Sequence, residues 1–154
     1  MKTDTRNRYG SISRSFHWIM AAGYLFMFGT VIAWNIDKQF RSSLMGMHKT
    51  VGFVLAALIV LRVLWAVTQM SHRPKNNLAA RAGHLALYAL MIAVPALAIA
   101  RQIGRAQGNK FLVELGNQWH GELGWVLLVL VAGHVVMTII HQGRGAPVLS
   151  RMWG

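Results

Sequence analysis

Four stretches of this chain are long and nearly free of charge, and that pattern restricts the fold more than any other feature. Ser15 to Ile36, Ala82 to Ala100 and Leu123 to Gly143 contain no charged residue, and Leu44 to Met70 is interrupted only by Lys49 and Arg62. Each run reaches about 19 to 22 residues or more, enough at 1.5 Å per residue to cross roughly 30 Å of hydrocarbon. Four transmembrane helices are predicted, over roughly residues 13–36, 44–70, 80–101 and 118–142. The expected fold class is all-α: an integral membrane four-helix bundle.

Composition agrees. Of 154 residues, 55% are apolar and 13% charged, whereas a soluble domain carries about 25% charged residues. The same figures exclude disorder, which needs many charges and few bulky apolar groups. With no cysteine there is no disulfide framework, iron–sulfur cluster or thiolate metal site, so a metal must take histidine or oxygen ligands. The formal charge of +12 does not read as a nucleic-acid surface, because the basic residues lie between apolar runs rather than on one water-facing patch. Residues 1–154 read as a single domain. The first run is too long for a cleaved signal peptide and ends without a small-x-small exit, so it is expected to stay in the mature protein.

Orientation follows from the basic residues at the span ends. With four crossings, Lys2, Arg6, Arg8, Arg14, Arg62, Arg73, Lys75, Arg81, Arg144 and Arg151 fall on the side of both termini, against Lys38, Arg41, Lys49, Arg101, Arg105 and Lys110 on the other. This predicts that both termini lie in the cytoplasm. Trp18, Trp34, Trp65, Trp119 and Trp125 lie near span ends, where indole rings favour the interface. Ser42-Ser43, Pro74 with Asn76-Asn77, and Gly104 to Gly108 are expected as loops.

Histidines inside such spans need a purpose. His17 lies near the inner end of the first helix, His48 near the outer end of the second and His84 near the inner end of the third. The fourth carries His120 and His134, 14 residues apart, which leaves them within about 40° of one face and roughly 21 Å apart along the axis. His48 is thus placed to meet His120 in the outer half, and His17 to meet His134 in the inner half. Small residues follow at i+4 (Ala21, Gly52, Gly124) and Gly133 precedes His134, allowing a planar macrocycle to approach the backbone. Pairs of ligands suit haem iron rather than zinc, which takes three or four protein ligands. With both axial positions filled, such iron suits electron transfer. The alternative for any one of these histidines is an interhelical hydrogen bond.

The remaining polar residues admit paired readings. Arg62, 14 residues after His48, either meets a propionate of the inner haem or snorkels to the interface. Lys49 has the same two options at the outer surface. His84 reads as a residue behind a ligand, a quinone contact or packing; His141 as a quinone contact or a solvated helix end; His72 as solvent-exposed. The methionines, with Tyr24, Phe26 and Phe28, read as packing or lipid-facing positions.

The ordered set Arg8-Tyr9, His17-Trp18, His48-Lys49-Thr50-Val51-Gly52, Arg62-Val63-Leu64-Trp65, His84, Tyr88, Pro95, Trp119-His120, His134 and His141 resembles the bacterial cytochrome b561 family of four-helix dihaem membrane proteins. Within it the chain is similar in size to the stand-alone superoxide oxidase type, and in plan to the b-type subunits that anchor formate dehydrogenases and hydrogenases. The resemblance implies two haem b groups, His17 with His134 for the inner and His48 with His120 for the outer, and a membrane quinone as redox partner. Two features depart from the family pattern. Pro95-Ala96-Leu97-Ala98 stands where relatives often have Pro-x-x-Gly, and the segment Arg101 to Gln118 is short for the superoxide oxidase type.

The resulting expectation is an oxidoreductase that takes electrons from periplasmic superoxide and reduces ubiquinone. Arg101, Arg105, Lys110 and Lys49 would either steer the anion or simply touch lipid phosphates. His84, His141 and Lys75 are the candidates on the quinone side. The rival is a cytochrome b anchor relaying electrons from a separate periplasmic dehydrogenase or cytochrome, and a rival of another class is a haem-free transporter or assembly factor.

Overall fold

The computed structural model describes residues 3–5, 8–70, 78–146 and 148–153. Helices account for almost all of them: α1 (Ser11–Ile36), α2 (Phe40–Thr68), α3 (Leu78–Gln107), α4 (Lys110–Gly143) and a final turn, α5 (Ser150–Trp153). The first four are long and apolar enough to cross a membrane, as the uncharged runs require. No strand occurs among the described residues. The chain forms two compact units, residues 1–74 and 75–154. In the first α1 packs on α2, and in the second α3 packs on α4.

In the first unit a short turn joins the helices. The Asp37 amide closes α1 on the Ala33 carbonyl, and Asp37 Oδ1 accepts from the Gln39 amide at 3.0 Å, so one aspartate ends one helix and shapes the approach to the next. Ser42 and Ser43, expected as loop, lie inside α2. Their hydroxyls donate to the Gln39 and Phe40 carbonyls, 2.9 and 3.0 Å away, which ties polar side chains into the helix rather than breaking it. The helices approach closely where Gly23 faces Leu55; a Cβ at Gly23 would sit 2.7 Å from Leu55 Cδ2. At the opposite end Trp65 Nε1 donates to Ser13 Oγ at 2.9 Å and Arg62 Nη1 to the Ser13 carbonyl at 3.3 Å. Asp4 is buried there. Its amide donates to Gln69 Oε1, and its Oδ1 accepts from the Gly10 amide at 2.8 Å.

The second unit corrects the expected loop from Arg101 to Gln118. Both helices run through that segment, and the connection is two residues long. Gly108, at φ +67°, takes the left-handed conformation that ends α3. The next amide, Asn109, bonds back to the Gly104 carbonyl at 2.9 Å, the six-to-one bond of a Schellman ending. Asn109 then starts α4 as its N-cap, accepting from the Leu112 amide at 3.2 Å, which satisfies one of the orphan donors of the first turn. Gly104, expected in the loop, is helical and buried against Leu112. A Cβ at Gly116 would stand 2.5 Å from both the Leu97 carbonyl and Arg101 Cβ, so glycine lets these two backbones meet. Charge marked where the hydrocarbon ends; the backbone hydrogen bonds continue beyond it. At 30 and 34 residues, α3 and α4 are roughly 45 and 51 Å long, well past the bilayer core. The expected Pro74, Asn76-Asn77 loop lies outside the described residues.

Candidate functional site

In the first unit His48 has two neighbours from α1. Its Nδ1 lies 2.8 Å from Thr30 Oγ1, and its ring lies 4.9 Å from the Trp34 ring, centroid to centroid. Thr30 follows His17 by 13 residues on the same helix, so His17 and His48 occupy levels roughly 20 Å apart along the hairpin. Arg62 is at the His17 level: its bond to the Ser13 carbonyl sets it one turn before that histidine. Lys49 is exposed.

The second unit repeats the two-level arrangement. His120 and His134 lie on one uninterrupted helix, which upholds the sequence estimate of their separation and shared face. His120 Nδ1 lies 2.9 Å from the Val94 carbonyl oxygen, beside Pro95. His134 meets His84, with ring centroids 5.4 Å apart at an interplanar angle of 74°. His84 Nδ1 lies 2.6 Å from the Ala80 carbonyl, and His141 Nδ1 is 2.7 Å from that of Met137. Arg101 packs on Gly116, one turn before His120. Arg105 and Lys110 are exposed near the Gly108–Asn109 turn. Lys75 and His72 lie outside the described residues.

These contacts assign ring nitrogens. A carbonyl oxygen only accepts, so His120, His84 and His141 donate through Nδ1–H, and in the neutral ring the lone pair is then on Nε2. The Thr30 hydroxyl donates its single proton to the Met27 carbonyl at 2.7 Å, so its contact with His48 must be an Nδ1–H donation. His48 and His120 therefore share one tautomer, held as metal-ligating histidines are held, by a hydrogen bond from the ring nitrogen that does not bind metal. Among the described residues no group of three or more His, Asp or Glu side chains is placed to hold a metal ion. That donor set does not suit a structural zinc, but it suits iron that arrives with four porphyrin nitrogens. A Cβ at Gly124 or Gly133 would meet nothing within 4 Å, and at Gly52 only Met27 Cε at 3.3 Å. The backbone beside His120, His134 and His48 is thus open to a flat group.

The prokaryotic cytochrome b561 profile matches residues 8–154. The chain belongs to the prokaryotic cytochrome b561 family. It is 32% identical over 167 residues to cytochrome b561 homolog 2 of Escherichia coli (strain K12), covering 91% of this chain and 87% of that protein. No solved structure matches it significantly. As a cytochrome b561 protein it is a multi-pass membrane oxidoreductase that binds b-type haem and transfers electrons.

Sequence reasoning missed three groups: Thr30, Trp34 and the Val94 carbonyl. A threonine inside an uncharged run was the visible sign of the first. Trp34 read only as an interface marker, and a main-chain acceptor leaves no trace in side-chain pattern.

Proposed function

We propose that this cytochrome b561 protein moves electrons across the bacterial inner membrane through two bis-histidine b haems, oxidising superoxide at the periplasmic face and reducing ubiquinone. His17 and His134 would hold the inner haem, and His48 and His120 the outer. The observation that carries this reading is the repeated spacing: each helical hairpin presents histidines at two levels roughly 20 Å apart, with both proposed outer ligands held by Nδ1–H donation. Bound haem supplies reversible one-electron chemistry. The chain's own residues orient the ligands, shape the field and exclude water.

Cationic side chains support the choice of donor. Arg105 and Lys110 are exposed at the turn beyond His120, with Arg101 nearer to it and Lys49 exposed beside His48. Charge of this sign raises the local concentration of a small anion. Each superoxide loses one electron and leaves as O2; two such events, with two protons from the cytoplasmic side, convert one ubiquinone to ubiquinol. Arg62, at the His17 level, would meet a propionate of the inner haem. His84 and His141, with Lys75, would serve the quinone side, where a neutral imidazole Nε2 accepts a hydrogen bond from a quinol O–H.

The test uses purified protein, a superoxide generator and ubiquinone. Haem reduction that superoxide dismutase abolishes, with one quinol formed per two superoxide consumed, is the expected result. Reduction only after a periplasmic dehydrogenase or cytochrome is supplied would make the chain an anchor subunit instead. A preparation with no Soret band would remove the electron-transfer reading altogether.

A further inference from the structure

We propose that Thr30 is a positioning residue for the haem held by His48, fixing the tautomer and plane of that imidazole and so setting the haem's potential. The inference rests on the haem reading above and adds to it a side chain with no part in ligation.

Thr30 is 3% exposed within the apolar helix α1, and a hydroxyl buried there must be hydrogen-bonded or it costs stability. Its one proton goes to the Met27 carbonyl, 2.7 Å away and three residues back. The oxygen's lone pairs remain, and one receives the His48 Nδ1–H at 2.8 Å. Because the hydroxyl is already donating, it is polarised into a better acceptor. Pulling the Nδ1 proton outward makes Nε2 more basic, which favours ferric over ferrous iron. The Trp34 ring, 4.9 Å away and tilted by 54°, limits the ring's rotation from a second direction. On the other proposed ligand, His120, the acceptor is the Val94 main-chain carbonyl, which no side-chain substitution removes. Thr30 is therefore the adjustable half of the pair.

The experiment is a redox titration of the purified holoprotein with low-spin haem spectra, after His48→Leu has identified which signal belongs to that haem. Thr30→Val keeps the shape and removes the acceptor. At fixed ambient potential it should raise the reduced-to-oxidised ratio of that haem about threefold, or about 28 mV at 59 mV per tenfold for one electron. The electron paramagnetic resonance signal of that haem should move, the other haem should not, and Thr30→Ser should restore both values. An unchanged potential and spectrum in Thr30→Val overturns the proposal, as does an equal shift of both haems or a Thr30→Ser variant that behaves like Thr30→Val. If Thr30→Val loses the haem outright, recovery of haem and potential in Thr30→Ser supports the proposal and failure to recover overturns it. Full haem content in His48→Leu would overturn the haem reading together with this one, whereas one haem lost there with no shift in Thr30→Val rejects this inference alone.

Discussion

The His84 imidazole stands edge-on to that of His134, their centroids 5.4 Å apart at 74°, while its own Nδ1–H is committed to the Ala80 carbonyl. His84 thus borders a proposed ligand without being needed as one. Replacing it with Phe should leave haem content per chain unchanged by pyridine haemochrome assay. The low-spin signal of the haem at His134 should shift, because the ring that borders the ligand has changed shape. Loss of a haem would show that His84 is itself an axial ligand.

Ligand removal should be selective by level. His120→Leu and His134→Leu are each expected to halve the haem per chain, and the haem left behind should differ in potential between the two variants. Identical residual spectra and potentials would contradict separate sites on α4.

Packing between α3 and α4 depends on Gly116. Its Cβ in an alanine variant would press against the Leu97 carbonyl, which a helix cannot move without losing its own bonds. Gly116→Ala should destabilise by about 1–3 kcal/mol, seen as a lower unfolding midpoint in detergent, whereas Gly29→Ala, where a Cβ meets nothing within 4 Å, should not.

The turn makes an independent test of the helix ends. Asn109→Ala removes the cap bond to Leu112 and should cost about 1 kcal/mol. Gly108→Ala places a Cβ at φ +67° and should cost about 1–2 kcal/mol. Circular dichroism during thermal unfolding reports both, and an unchanged midpoint in both variants would argue for a loosely held loop.

If exposed cations steer superoxide, reversing Arg105 and Lys110 to glutamate should slow superoxide-dependent haem reduction about tenfold at low ionic strength. The gap between variant and parent should close as salt is added. A gap independent of salt would assign these residues to structure rather than steering.

The spans were legible because hydropathy reports the bilayer, and the bilayer demands helices. Helix ends were less so, since a helix does not stop where lipid does: Ser42, Ser43 and Gly104 looked like loop chemistry yet lie inside helices. The stop and start signal was the adjacent pair Gly108 and Asn109. The levels of His120 and His134 were readable because a continuous helix converts sequence spacing into depth. The partner of His48 was not, because a threonine in a span bonds its own helix as readily as a neighbour, and only the register of α1 on α2 decides which histidine it meets.

With a two-residue link, the α3–α4 tip has no slack with which to remodel itself. Sequence change at that end therefore has one cheap route, the exchange of side chains on a fixed mount, while any lengthening must first break the Gly108–Asn109 stop and start.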